Sequence, residues 1–358
     1  MDIRFSVLDQ SPIAEGSSGA QALRNTIDLA QLSEQLGYHR YWVAEHHGTP
    51  GLASASPEAL IGPVAASTER IRVGSGGVML PHYSPLKVAE TFSALAGIFP
   101  GRIDLGFGRA PGTDPMTTFA LQRDRRDASP DDFPQQMAEL LGYLNGDLPA
   151  DHPFGRLAAT LPGLPERPEP WLLGSSPQSG IWAAQLGLPY AFADFINSGG
   201  AEIAGRYREE FAPGGESERP VVAVAVWAIC AETEEEAQRL VSSSRMMMRL
   251  LGEGRLIPVP SVETALRFLA ARPAAPSTRE RSRRAIIGDP EQVRAGLESV
   301  ALEYGADEVM VVTITHDHEA RRRSYELIAE VAGVSSAKRS GVAAEPGSAI
   351  GAELPVRA

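Results

Sequence analysis

The chain has 358 residues, 33 of them basic and 45 acidic, for a net charge of −12. That balance disfavours nucleic acid and anionic membranes as partners, and no apolar run approaches the ~20 residues of a membrane span. A single cysteine, Cys230, excludes an internal disulfide framework and a cysteine-rich metal site, and its apolar setting (Val221 to Ile229) predicts a buried, inert thiol. Residues 1–12 lack a basic segment followed by an apolar core, so no signal peptide is expected and the cytoplasm is the expected compartment.

In chain order, Ile3 to Leu8 alternates as a strand does, and Gln21 to Leu36 has near-helical apolar spacing with Gly37 as its C-cap. Tyr41 to Ala44 reads as a second strand. Pro57 to Thr68 reads as a helix with proline at its first position, although Pro63 sits awkwardly inside it. Ile71 to Ser75 is a third predicted strand, Pro85 to Ile98 a third helix, and Arg102 to Phe107 a fourth strand after the Pro100-Gly101 turn. Residues 113–169 hold one predicted helix, about Asp131 to Leu144, and a proline-rich connection. Pro170 to Leu173 and Tyr190 to Asp194 are predicted strands, followed by helices to Leu186 and over Ala201 to Phe211. Val221 to Ala231 is a long strand with the unbroken apolar character of a buried parallel strand. A helix over Glu234 to Leu251 leads into residues 252–285, read as irregular. Then come a helix from Asp289-Pro290 to about Tyr304, an eighth strand over Glu308 to Thr313, and a last helix to about Val331.

Strand followed by helix, about eight times over, predicts a (β/α)8 TIM barrel over residues 1–334, with insertions after strand 4 and before strand 8. Residues 335–358 are small and polar and read as a poorly ordered tail. A doubly wound open sheet is the competing architecture. The barrel is favoured because the unusual residues sit at the C-terminal ends of strands two to five, which in a barrel meet at one mouth.

Those strand ends carry the candidate chemistry. Glu45-His46-His47 closes strand two; histidine exchanges protons near neutral pH, and of two adjacent residues only one faces the mouth. His82 is a further possible ligand, but no HxH or HExxH spacing supports a metal site, and none is expected. Gly76-Gly77 closes strand three, where a flat group can lie directly on the backbone, or where the chain merely turns. Gly106-Phe-Gly-Arg109 ends strand four with a fixed positive charge; the GxGxxxG spacing to Gly112 is not a dinucleotide fingerprint. Gly174-Ser175-Ser176-Pro177-Gln178-Ser179 joins strand five to a helix, and its hydroxyls and free N–H groups suit an anion such as a phosphate monoester.

Together, Trp42-Val-Ala-Glu-His-His47, Ile71 to Pro81, Pro85 to Glu90, Gly101 to Arg109 and Ser179 to Gly187 resemble the bacterial luciferase-like flavin-dependent monooxygenase family over about residues 3–333. Small oxygenases of actinomycete aromatic-polyketide pathways are especially similar. The resemblance implies reduced FMN at the barrel mouth, reacting with O2 through a C4a-hydroperoxide to oxygenate a small-molecule substrate. It implies the catalytic histidine at His46 and a non-proline cis peptide at Gly76-Gly77 beneath the flavin ring. Phosphate contacts are implied at Arg109, Ser175, Ser176 and Ser179, with a second arginine among Arg123, Arg125 and Arg126. Gly108 stands where luciferase has a reactive cysteine, and Gly174-Ser175 replaces Ala-Glu, so light emission is not implied. No reductase domain is recognisable, which implies FMNH2 from a separate NAD(P)H:flavin reductase. Residues 252–285 are a candidate lid, with Arg255, Arg267, Arg272 and Arg279 as a candidate clamp or as solvated charges. The family's dimerisation through helices two and three points to Leu60, Ile61, Val64, Val88, Phe92 and Leu95. An F420-dependent oxidoreductase on the same barrel, a metal-dependent hydrolase and a non-catalytic flavin-binding subunit are the alternatives.

Overall fold

Nine parallel strands alternate with helices in the computed structural model, which describes residues 3–109, 114–121, 132–272 and 284–334. The strands are β1 (Arg4–Asp9), β2 (Arg40–Val43), β3 (Arg72–Met79), β4 (Ile103–Gly108), β5 (Glu169–Gly174), β6 (Tyr190–Ala193), β7 (Val222–Cys230), β8 (Ala285–Gly288) and β9 (Glu308–Val312). Eight of them close a ring in the order β6-β5-β4-β3-β2-β1-β9-β7, with β6 pairing back to β7. The expected (β/α)8 barrel is therefore present. β8 stands outside the ring and pairs with the C-terminal half of β7, Trp227 to Cys230, while residues 223–227 pair with β9.

The helices are α1 (Gly19–Leu36), α2 (Pro57–Ala66), α3 (Pro85–Ile98), α4 (Pro115–Leu121), α5 (Phe133–Asn145), α6 (Pro177–Gln185), α7 (Ala201–Glu209), α8 (Glu234–Gly252), α9 (Val262–Ala271), α10 (Pro290–Tyr304) and α11 (His318–Val331). Their starts are written locally. Ser18 caps α1, Asp289 and Gln292 form a capping box on α10, and proline takes an early position in α2, α3, α6 and α10. α9 corrects the reading of 252–285 as irregular. Ser261 accepts from the Thr264 N–H at 3.2 Å, and Val262, Ala265, Leu266 and Leu269 repeat at helical spacing. β3 runs four residues past the predicted end at Ser75, through Gly76 and Gly77.

Side chains alternate along each strand, and the two faces build two cores. Outward residues such as Val7, Tyr41, Val43, Val73 and Leu105 pack under the helices. Inward residues, among them Leu8, Trp42, Trp171, Ala191, Ala225 and Met310, fill the barrel. Towards the N-terminal ends of the strands the interior is closed by charge. Arg40 bonds Asp104 at 2.9 Å and Glu308 at 3.1 Å, lies 4.6 Å over the Trp171 ring, and has Trp42 Nε1 beside it donating to Asp104 at 2.8 Å. The cavity lies on the other side of this plug, towards the C-terminal ends.

One further expectation changes, and one pair of alternatives is decided. Leu60, Ile61, Val64, Val88 and Phe92 are buried within the single chain, packed against the barrel, so they cannot form an exposed dimer face; Leu95 is part-exposed. Arg255, Arg267 and Arg272 are exposed, with Arg272 stacked on Phe268 at 4.7 Å and paired with Glu253 at 3.7 Å, which is the solvated reading rather than a clamp. Arg279 lies outside the described residues, as do Arg123, Arg125, Arg126 and the C-terminal tail.

Candidate active site

A cavity of about 480 Å³ opens at the C-terminal end of the barrel, the end where such barrels carry their sites. His46, Gly76, Gly77, Arg109, Ser175, Ser176 and Ser179 all line it, although they come from four strand ends spread over 134 positions of the sequence. Leu8, Trp42, Ala225 and Met310 form its floor, and Phe192, Phe195 and Ile196 a hydrophobic wall.

β2 sets the histidine. His46 lines the cavity, and its main-chain N–H donates to Ser54 O at 2.9 Å. His47, which follows β2 in the irregular turn, pairs with Glu45 at 2.6 Å. Burial, and then the neighbouring His47, pushes the His46 pKa down to about 4, so the ring is neutral at physiological pH. Its Nδ1 is buried and has no hydrogen-bond partner among the described residues. A neutral imidazole with one unmatched nitrogen is poised for a hydrogen bond from or to a bound molecule.

β3 sets the floor beside it. The Gly76–Gly77 peptide is cis, and the register against β4 skips Gly77: Gly76 pairs with Gly106, and Val78 with Phe107. An added side chain would be crowded here. A Cβ on Gly77 would lie 2.7 Å from Gly106 O, and one on Gly76 would lie 2.5 Å from Leu8 Cδ1. The result is a bare stretch of backbone against which a planar ring can lie.

β4 and β5 set the opposite end. The Arg109 guanidinium lies 5.6 Å over the Trp182 ring, which itself packs on Phe133 at 5.4 Å. α6 begins at Pro177 with no side chain capping it, leaving its first-turn N–H groups for an anion. Asn197 donates to Ser175 O at 3.2 Å and fixes the turn. Ser179 lines the cavity with its hydroxyl engaged within the chain, donating to Ser176 O at 2.7 Å and meeting the Tyr190 hydroxyl at 2.9 Å. It organises the turn, and Ser175 and Ser176 line the cavity beside it. Trp182, Phe133 and Asn197 escaped the sequence reading because their roles depend on neighbours distant in the chain.

The rim is stitched rather than open on one side. Val259 N donates to Ile13 O at 2.8 Å, Glu15 N to Val259 O at 2.7 Å, and Ile13 N to Gly51 O at 2.8 Å. The stretch before α9 is thus part of the rim; residues 273–283 lie outside the described residues. Among the described residues no three His, Cys, Asp or Glu side chains cluster as metal ligands, and no helix is long and apolar enough to cross a membrane.

The profile of the family described as luciferase-like monooxygenase matches residues 3–308. The chain belongs to that family. A luciferase-like monooxygenase of Escherichia coli strain K12 is 42% identical over 336 residues, covering 92% of this chain and 97% of its own length. The N-acetyl-S-alkylcysteine monooxygenase of Bacillus subtilis is 39% identical over 341 residues, covering 94% and 100%. Among solved structures, apo-MsnO8 superposes with a TM-score of 0.85 at 40% identity, covering 93% of this chain and 99% of that one. Two more distant structures share the fold. The oxygenating component of a Pseudomonas putida 3,6-diketocamphane monooxygenase holds FMN (TM-score 0.68, 20% identity), and an F420-dependent secondary alcohol dehydrogenase holds an F420–acetone adduct (0.66, 15%). This luciferase-like monooxygenase thus has the family's barrel with a cavity at its mouth.

Proposed function

We propose that this luciferase-like monooxygenase uses FMNH2, delivered by a separate NAD(P)H:flavin reductase, to place one oxygen atom of O2 into a small organic substrate. The observation that carries the reading is the convergence of His46, the bare Gly76–Gly77 peptide, Arg109 and the Ser175–Ser176 turn on one cavity. These residues fit a flavin mononucleotide: a polar atom without a partner at one end, a side-chain-free floor, and an anion site at the other. When bound, reduced FMN supplies two electrons to O2 by the route that the resemblance implies, one oxygen going to substrate and the other to water.

The chain's own residues then have distinct tasks. Arg109 and the hydroxyls of Ser175 and Ser176 bind the phosphate. Gly76 and Gly77 seat the ring. His46, neutral, holds or moves a proton at Nδ1. The apolar walls and the stitched rim keep water away. Phe192, Phe195, Ile196 and Met310 favour a substrate that presents an apolar or aromatic group. Aromatic polyketides and S-alkylated cysteine derivatives both do so, and the second class is the one named for the relative at 39% identity. Association into a dimer, if through α2 and α3, uses their outer rather than their buried faces.

The test is aerobic incubation with a flavin reductase, NADH and FMN over a panel of both substrate classes, read by mass. A product heavier by one oxygen, dependent on FMN and on the reductase, is expected. Reduction of F420 by an alcohol, with no FMN-dependent oxygenation, would replace this reading with the F420-dependent oxidoreductase.

A further inference from the structure

Glu45 lines the cavity, yet the proposed chemistry gives it no task. Its side chain is 0% exposed. Oε2 accepts from the Met79 N–H at 2.9 Å; Oε1 accepts from the Tyr83 hydroxyl at 2.8 Å and pairs with His47 Nε2 at 2.6 Å. Met79 lies two residues beyond Gly77, and Tyr83 follows in the turn that leads into α3. The backbone ladder between β2 and β3 ends at Val43–Ser75. Past that pair the two strand ends diverge in task, one carrying His46 and the other Gly76–Gly77, and the Glu45 carboxylate ties them together.

A carboxylate is a costly group to bury, and a fold needing only a spacer here would be served by an apolar side chain. What a carboxylate alone provides is acceptor capacity at both oxygens, matched to donors arriving from β3 and from the turn after it. We propose that Glu45 is a positioning residue: it holds His46 and the Gly76–Gly77 peptide in one frame, so that a flavin lying on the glycines meets the imidazole at a fixed separation. The inference rests on the flavin reading above. When the frame loosens, the flavin still binds, but the imidazole no longer sits where oxygen is handled. The two electrons and two protons of FMNH2 then leave on O2 as H2O2 instead of driving oxygen transfer.

Glu45→Gln keeps the shape but offers one acceptor oxygen; its NH2 confronts either the Met79 N–H or the Tyr83 and His47 pair. Tyr83→Phe removes one donor and leaves the carboxylate in place. In the reductase-coupled assay, E45Q is expected to raise the fraction of consumed O2 that appears as H2O2 at least threefold. It should also change the absorption spectrum of bound FMN, with wild-type circular dichroism. Y83F should show a smaller change in the same direction. A folded E45Q with wild-type peroxide yield and flavin spectrum overturns the inference, as does an unchanged Y83F if E45Q does not fold. Should wild type bind neither FMN nor F420 in the titration, the function reading falls and this inference with it. Binding by wild type with both variants unchanged overturns this inference alone.

Discussion

Arg109 lies over the Trp182 ring at the cavity edge, and Trp182 packs at a tilt on Phe133. It therefore presents a pre-oriented charge rather than a mobile one. Arg109→Ala should weaken FMN binding by ~1.5–3 kcal/mol, the range for a hydrogen bond to a charged group, or roughly 10- to 150-fold in Kd; unchanged affinity in a fluorescence titration would refute the phosphate role. His46 makes a prediction of opposite kind. Burial and the nearby His47 lower its folded pKa from 6.5 to about 4. Between those values the unfolded chain binds a proton that the native protein refuses, so stability falls as the pH drops through this window and the cost is absent above it. At ~1.36 kcal/mol per unit, the full cost is about 3 kcal/mol. His46→Gln should therefore lose less of its thermal midpoint than wild type between pH 7 and pH 4. Parallel curves for the two proteins would contradict the burial of a neutral imidazole. The same variant should bind FMN normally but turn over more slowly.

Among the elements, β3 carries two site-lining glycines, Gly76 and Gly77, at which an added side chain would meet different kinds of neighbour. At Gly77 an added methyl would strike Gly106 O at 2.7 Å and Gly106 C at 2.8 Å, the backbone of the adjacent strand. At Gly76 its nearest neighbour is Leu8 Cδ1, the end of a side chain that can turn away. Gly77→Ala should cost ~1–3 kcal/mol in urea unfolding, as overpacking does, and should disturb flavin binding; Gly76→Ala should cost less on both counts. Equal losses would mean that the strand relaxes as a unit. Helix starts were legible in the sequence wherever a proline or a capping side chain wrote them locally, as at Pro85, Pro177 and Asp289. α9 was missed because the proline- and arginine-rich composition around it outweighed a short apolar repeat beginning at Val262.

For the whole molecule, the division of labour runs along the barrel axis. One end is closed by Arg40 between Asp104 and Glu308, the other holds the cavity, and Trp42 belongs to both, donating to Asp104 below while lining the cavity above. Arg40→Met removes the cation from a buried ion cluster and should destabilise by ~3–5 kcal/mol, as uncompensated buried charge does. Asp104 would retain Arg72, and Glu308 would retain Ser6. The variant that remains folded at low temperature should bind FMN with nearly wild-type affinity. A large loss of affinity would show instead that the plug also shapes the site.

The sequence alone determined the alternation of strand and helix, and with it the barrel, because periodicity, prolines and caps act over a few residues. It also determined which residue types end the strands, hence the chemistry available there. Tertiary structure decided everything that depends on what approaches from elsewhere in the chain. It turned the Ser179 hydroxyl inward to Ser176 and Tyr190, folded Leu60, Ile61 and Val64 against the barrel, set β8 outside the ring, and gave Glu45 its three partners. Those outcomes follow from which group fills a given volume or meets a given donor, and no spacing along one segment encodes the position of another.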